Sequence, residues 1–366
     1  MTTVRYTATE LIDFTTRVFT HLGVEPADAR LAAAILIEAD LMGIDSHGIA
    51  HLPSHGSYAP ALKEGRVNPR PNIRVVHETP ATALIDGDRG LGLITGHRAM
   101  RLAIEKARAV GVGSVAVYNS RHFGAAGTYA LMAVPEDMVG LAMTNAGPWF
   151  VPTRAKKKMI GTNPIAVAAP AGSEQPFFMD MATSTVAMGK LEIALREGKP
   201  IPPGWALDGE GRPTTDIPTV YREGGLTPLG AHEETSSYKG YCLGVMVDVF
   251  TGVLSGAGYS MALGQYGGGV GHFFAAWRID AFRPVEEFKA MMDAMQRAFR
   301  AAEPVDPAKP VLLPGQREFE TRAERSKHGI PLHVSVVKTL DDLADSLGLP
   351  RARPIPSPLT PSPAGD

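Results

Sequence analysis

The chain is almost without cysteine: Cys242 stands alone among 366 residues. One thiol cannot close an internal disulfide and cannot build a thiolate metal site. Its neighbours Tyr241, Leu243, Gly244 and Val245 are uncharged and mostly apolar, so it reads as a small core residue. Neither sign of charge dominates, with 36 Lys and Arg against 38 Asp and Glu. Phosphate backbones are bound by concentrated basic surface, so nucleic acid is not expected as a partner. Lys156-Lys157-Lys158 is too short to change that. No apolar run approaches the ~18 residues of a membrane span. Glu10 and Asp13 fall where a signal peptide needs an apolar stretch, so the expectation is a cytoplasmic protein. The glycine fingerprint of a dinucleotide-binding turn is also missing. Gly111-Val112-Gly113-Ser114-Val115-Ala116 comes nearest, but it follows a helix and precedes a strand, the reverse of what phosphate binding at a helix start requires.

What is present is enough apolar sequence, 44% of residues, to bury a large core. Thr7-Ala8-Thr9-Glu10 has the pattern of a capping box, and Leu11, Phe14, Val18 and Leu22 recur at helical spacing. Pro26 opens a second helix, and Gly43 ends it. Tyr58–Lys63 reads as a short helix. From about Ile73, short β-like runs alternate with helices. The strands are expected at 83–86, 114–118, 139–144, 165–169, 177–181 and 271–279. Helices are expected at 95–109, 124–133, 185–197 and 238–254. This alternation predicts an α/β domain over residues 73–282. Helical periodicity returns after Pro284, so residues 1–72 and 283–350 are expected to form a discontinuous helical domain. The proline-rich segment 351–366 is expected to be a disordered tail. Pro200–Pro228 reads as a long loop, a functional flap or an arm that packs on a second subunit.

Asp45-Ser46-His47-Gly48 sits at the expected helix stop. A hydroxyl beside an imidazole suits proton transfer to or from a carbonyl or alcohol, although a plain capped turn has the same composition. His122 follows a strand and precedes a helix, where side chains commonly line clefts; a surface His is the other reading. Asn145 and the Asp180-Met181-Ala182 run also follow or end strands, which points to one shared rim. At Leu313–Glu318 a polar helix opens, and its free amides with Arg317 could hold an anion or simply cap a surface helix. His47, His51 and His55 are spaced four apart, but Gly48, Pro53 and Gly56 interrupt the helix that would align them, so no metal is expected.

Taken in order, Asp45-Ser46-His47-Gly48, Ser120-Arg121-His122-Phe123-Gly124, Gly161-Thr162-Asn163-Pro164, Met179-Asp180-Met181-Ala182-Thr183-Ser184, Tyr238-Lys239-Gly240-Tyr241 and Leu313-Pro314-Gly315-Gln316-Arg317-Glu318 resemble the type-2 malate/L-lactate dehydrogenase family. The resemblance runs to about residue 347. It implies a homodimer that uses NAD or NADP without the usual Rossmann dinucleotide fold, in an α/β domain around a mixed sheet. It implies hydride transfer to or from C2 of a small 2-hydroxy or 2-oxo acid; reduction of a cyclic 2-imino acid or a ureidoglycolate-type substrate is the alternative within the family. Ser46, His47 and His122 are then catalytic. Asn145, Ala146, Asp180, Met181, Ala182, Lys239, Gly315, Gln316, Arg317 and Glu318 are implied cofactor contacts, and Thr162 a substrate contact. Many members carry Arg and Tyr where this sequence has His51 and His55, which makes those two the implied substrate-binding positions. Ala146 stands in place of a common Ser, and Gln316 in place of a common Glu. Outside the family, a histidine-metal hydrolase and a non-catalytic dimeric binding module are the competing classes.

Overall fold

The structure is a computed structural model and describes residues 3–54, 58–266 and 268–356. The chain opens with β1 (Thr3–Tyr6), α1 (Ala8–His21), α2 (Pro26–Leu41) and α3 (Tyr58–Lys63). Thr7 caps α1 by accepting from the Glu10 amide, and Pro26 occupies the first turn of α2. Next come β2 (Arg74–Glu78), β3 (Thr82–Asp86), α4 (Gly92–Val110), β4 (Val112–Ser120), α5 (Gly127–Ala130), β5 (Met138–Thr144), β6 (Ile165–Ala169) and β7 (Phe177–Met181). The middle of the chain adds α6 (Met188–Arg196), β8 (Ala206–Leu207), β9 (Pro213–Thr214), α7 (Ile217–Arg222), β10 (Gly225–Leu226) and α8 (Tyr238–Asp248), which runs on as a π turn over Val249–Val253. The chain closes with β11 (Val270–Arg278), α9 (Val285–Arg300), α10 (Gln316–His328), β12 (Ile330–His333) and α11 (Val334–Leu347).

Seven strands form the mixed sheet, in the order β2-β3-β4-β11-β5-β6-β7. Only β3 and β4 run parallel, joined by α4 as a crossover. The other pairings are antiparallel. β11 arrives late in the chain and inserts between β4 and β5. The Gly111–Ala116 stretch is the α4–β4 junction, as its order predicts. One continuous core runs from Phe14 and Leu36 of the terminal helices to Val115 and Phe274 of the sheet. Each fully buried side chain of this size is worth about 1.5–3 kcal/mol.

The structure corrects four expectations. Cys242 is exposed, because α8 turns it away from the sheet. Pro200–Pro228 is not a free loop: β8, β9 and β10 form a small sheet, and Ile201, Ala206, Ile217, Val220 and Leu226 bury against Phe150 and Leu191. Helices α10 and α11 do return to the N-terminal helices, but α9 is pinned on the sheet side. There the Asp293 carboxylate accepts from the amides of Gly172, Ser173 and Glu174, and Lys289 pairs with Asp137. Residues 351–356 are held in place: Arg351 pairs with Asp345, the Arg353 amide donates to Glu10, and the Ile355 amide donates to the Arg5 carbonyl of β1. The remaining ten tail residues lie outside the described part.

Candidate active site

Helix α2 carries one buried carboxylic acid, Asp40, on an otherwise apolar face. Its carboxyl accepts from the Ile49 amide at 2.6 Å, which folds the 43–49 turn back over the end of α2. Gly48 makes this possible, since a Cβ there would lie 2.0 Å from the Asp40 Oδ1. Burial and the nearby Asp45 push the Asp40 carboxyl up to about 8, against the Ile49 amide and Arg325, which favour the charged form. Arg325 of α10 clamps the turn from outside, donating to the Asp40 carbonyl and to the Asp45 carboxylate, each at 2.5 Å.

The turn presents Ser46 and His47, whose Oγ and Nδ1 lie 2.9 Å apart. Across from it, the loop after β4 brings in His122. The rings of His47, His51 and His122 stack on one another with centroids 5.3–5.8 Å apart. The rings are near-parallel and sit at the corners of a triangle, and among the described residues no group of three ligands is placed for a metal ion. Burial and then the His51 ring lower His47 to about 3. Burial and the surrounding His51, His47 and His272 rings hold His122 well below its ordinary value. Both rings are therefore neutral at ordinary pH.

Two residues that the sequence reading passed over set the state of His122. The Tyr58 hydroxyl lies 2.7 Å from its Nδ1, and the Gly124 amide donates to the same atom at 3.4 Å. With that amide as donor, Nδ1 is an acceptor, Tyr58 donates to it, and the ring proton is assigned to Nε2. Behind lies His272 of β11, fully buried, with Nδ1 2.7 Å from Thr144 Oγ1 and Nε2 2.9 Å from Ser120 Oγ. It ties β4 to β5 through β11 and stacks flat on Phe123 at 4.7 Å. Tyr58 had a signal of sorts. The resemblance calls for a tyrosine at position 55, and one arrives three residues later. His55 itself lies outside the described residues.

A cavity of about 240 Å³ opens beside the turn. It brings together Ser46 and His47, Thr162, Asp180, Ala182 and Glu318, which come from four separate stretches of the chain. Asp180 accepts from the Gly127 amide at 2.7 Å, and burial followed by the charge of Glu318 raises it to about 6. Lys190 also lines the cavity. It is placed there by Gly189, whose missing side chain lets α6 touch Ser46: a Cβ would sit 2.4 Å from the Ser46 Cβ.

Other implied site residues lie outside this lining, His51 and His122 among them, although both rings pack on that of His47. Asn145 is buried, with its amide spent on the Gly258 carbonyl, Asp248 and the Gly271 amide. Ala146 donates its amide to Asn163. Met181 ends β7 beside Ala182. Gly315 abuts Phe178 at the start of α10, where Gln316 accepts from the Leu313 amide and bonds Glu320. Arg317 and Lys239 are exposed, Lys239 at the start of α8.

The sequence profile described as malate/L-lactate dehydrogenase matches residues 6–341. The chain belongs to that family. Among its malate/L-lactate dehydrogenase relatives, the malate dehydrogenase of Pyrococcus horikoshii is 42% identical over 350 residues, 94% of this chain and 96% of that one. The L-sulfolactate dehydrogenase of Methanocaldococcus jannaschii is 38% identical over 336 residues, 91% of this chain and 94% of that one. The crystal structure of malate dehydrogenase from Entamoeba histolytica superposes with a TM-score of 0.91 at 32% identity, over 95% of this chain and 99% of that one. The mixed α/β fold and the enzymatic, oxidoreductase character of the chain follow from this membership.

Proposed function

We propose that the protein moves a hydride between a nicotinamide cofactor, NAD or NADP, and C2 of a small 2-hydroxy or 2-oxo acid. The observation that carries this reading is the convergence of the Ser46–His47 pair with Asp180 and Glu318 on one cavity. The donor set suits the cofactor. Two carboxyls and the Thr162 hydroxyl can accept from or bond to ribose hydroxyls, the use that acidic residues serve in other dinucleotide sites. When bound, the nicotinamide ring supplies or takes up the hydride.

The chain's own residues handle the proton. His122, packed on the His47 ring just behind the cavity lining and with its proton on Nε2, is the donor to a carbonyl oxygen in the reducing direction in this reading. His47 borders the cavity as a neutral ring, with Ser46 on its Nδ1 and a hydroxyl available to polarise the substrate oxygen. A substrate carboxylate within ~4–6 Å would favour the charged imidazolium and offset the depression of both rings. An anionic substrate thus tunes the acid it needs.

We propose further that two copies associate through the exposed apolar side chains of α8 and its extension, Val245, Val249, Val253 and Leu254. Sedimentation at micromolar concentration is expected to give a dimer, and a monomer would reject that surface. The activity is tested by offering 2-oxo acids and cyclic 2-imino acids with each cofactor and following nicotinamide absorbance. Turnover of a 2-oxo acid supports the reading, and no turnover with any of them overturns it.

A further inference from the structure

The turn between β3 and α4 holds Asp88 and Arg89 in left-handed backbone, with φ of 48° and 58°, and Asn119 near the end of β4 has φ of 54°. Non-glycine residues take this conformation rarely, and arginine is not among the types that favour it. Here it is fixed from both sides. The Arg89 amide donates to the Asn119 carbonyl at 2.7 Å, and the Arg89 carbonyl accepts from the Asn68 amide at 2.8 Å. The outcome is a placed side chain: the Arg89 guanidinium donates to the Gly65 carbonyl at 2.5 Å. Arg121, from the loop that carries His122, donates to the next carbonyl, that of Arg66, at 3.1 Å and to the Ser120 carbonyl at 2.8 Å. Two guanidiniums from separate strand ends thus converge on consecutive carbonyls of one turn.

Their charges are not balanced. Arg66 is paired with Glu64 at 2.6 Å. Among the described residues no carboxylate pairs with Arg89 or Arg121. The acids nearest in sequence are spent elsewhere: Asp86 accepts from Arg74 and Asn119, and Asp88 from the Asn68 side chain and the Asn72 amide. Burial, and then the charges of Arg89 and Arg66, lower Arg121 from its ordinary value. Gly269 leaves this guanidinium uncovered, since a Cβ there would lie 2.3 Å from its Nη1. A turn held in an unfavourable conformation so that two like charges meet has left the counter-charge to come from outside. We propose that Arg89 and Arg121 form a binding site for a phosphate-type oxyanion, at the base of the His122 loop and outside the cavity beside Ser46. Guanidinium matches the geometry of phosphate oxygens, both groups keep N–H donors free, and a dianion balances the pair.

The test is calorimetric titration of the full-length protein with sodium phosphate, in chloride buffer of matched ionic strength. Wild type is expected to bind with Kd of about 1 mM or tighter. Arg89→Asn and Arg121→Gln should each weaken binding by at least about tenfold, the scale of a lost charge-assisted contact. Asparagine tolerates the left-handed backbone, so Arg89→Asn removes the guanidinium without adding strain. Failure of wild type to saturate below about 20 mM, or an affinity unchanged in either variant, overturns the site. Titrating NADP and NAD into Arg89→Asn separates two sources of the same chemistry. A loss of about tenfold for NADP alone assigns the site to the cofactor's 2′-phosphate, and no loss for either assigns it to a free oxyanion. An equal loss for both would mean a displaced fold and overturns the site. Binding is read without turnover, so the result stands apart from the dehydrogenase reading.

Discussion

Replacing Gly48 by alanine is a sharp probe of how the catalytic turn is held. The new Cβ would lie 2.0, 2.2 and 2.4 Å from the Oδ1, Cγ and Oδ2 of Asp40. Asp40 is short, buried and bonded to the Ile49 amide at 2.6 Å, so its carboxyl has no free direction to swing. Relief comes either by breaking that hydrogen bond, which strands a buried donor, or by pushing the turn off α2. The two routes cost about 1–3 kcal/mol each, and the chain takes the cheaper one. In a chain of this size that lowers Tm by roughly 1–4 °C. The same shift moves Ser46 and His47, and displacements of about 1 Å cost up to 10²-fold in rate, so kcat should fall by roughly 10- to 100-fold. The assay is a double-mutant cycle. In an Asp40→Ala background the obstructing atoms are gone, and Gly48→Ala should then cost less than about 1 kcal/mol. A Tm indistinguishable from wild type for Gly48→Ala alone, or equal costs in the two backgrounds, would refute the reasoning.

Other outcomes follow from the same geometry. His47→Ala and His122→Ala should each lower kcat by about 10²-fold or more, the scale of a lost general acid or base, and unchanged kcat in both would remove them from the chemistry. Tyr58→Phe deletes the shorter of the two hydrogen bonds donated to His122 Nδ1 and leaves only the 3.4 Å contact from the Gly124 amide to hold the tautomer. A fall of about 5- to 100-fold in kcat/KM with Tm changed by only a few degrees is expected, from a buried hydrogen bond worth about 1–3 kcal/mol. Stability should peak near pH 6–7. Below the ordinary histidine value of 6.5 the unfolded chain takes up protons that the folded one refuses at His47 and His272, both held at about 3, and at His122, so stability is lost as pH falls. Asp40 acts in the opposite sense. Its contribution is present below the ordinary value of 3.8 and is lost as pH rises toward about 8, at about 1.4 kcal/mol per pH unit. Thermal melts of Asp40→Asn should flatten the limb between pH 6.5 and 8, and a limb parallel to wild type would contradict the buried-acid assignment.

The parts of the molecule that were readable in the sequence are those where burial imposes a period or a glycine imposes a stop. β6 and β7 fall at their expected residues, and α1 and α2 begin at Thr7 and Pro26 as their capping patterns say. β2 escaped because all five of its residues are exposed on the sheet edge and carry no alternation. β12 escaped because it is four residues long and contains Pro331. At the site, Ser46, His47, Asp180, Thr162 and Glu318 could be named because each sits in a short polar motif at an element end. Tyr58 looked like one more aromatic on a core helix, since its role depends on a residue 64 positions away. Asp40 did leave a trace: Glu38 and Asp40 stand two positions apart in the apolar run of α2, on opposite faces of the helix, so one of them has to be satisfied inside the fold. Asn145 shows the converse. It sits where a rim residue would, yet its amide is consumed inside the fold by Asp248, Gly258 and Gly271, partners that sequence order places over a hundred residues away.

The position of β11 has a consequence for how the protein is made. β4 and β5 emerge from the ribosome as neighbours in sequence, but the strand that joins them is roughly 130 residues further on. At roughly 5–20 residues per second, synthesis leaves their facing edges open for roughly 6–26 s. Until then Ser120 and Thr144 have no His272 to bridge them, and the loop carrying His122 has no floor. Two bare strand edges in a growing polypeptide are templates for pairing with the wrong partner. A chain cut short between Thr144 and Val270 keeps both edges permanently. Such a fragment should therefore accumulate as aggregate rather than as a smaller folded protein, however many of its helices have formed.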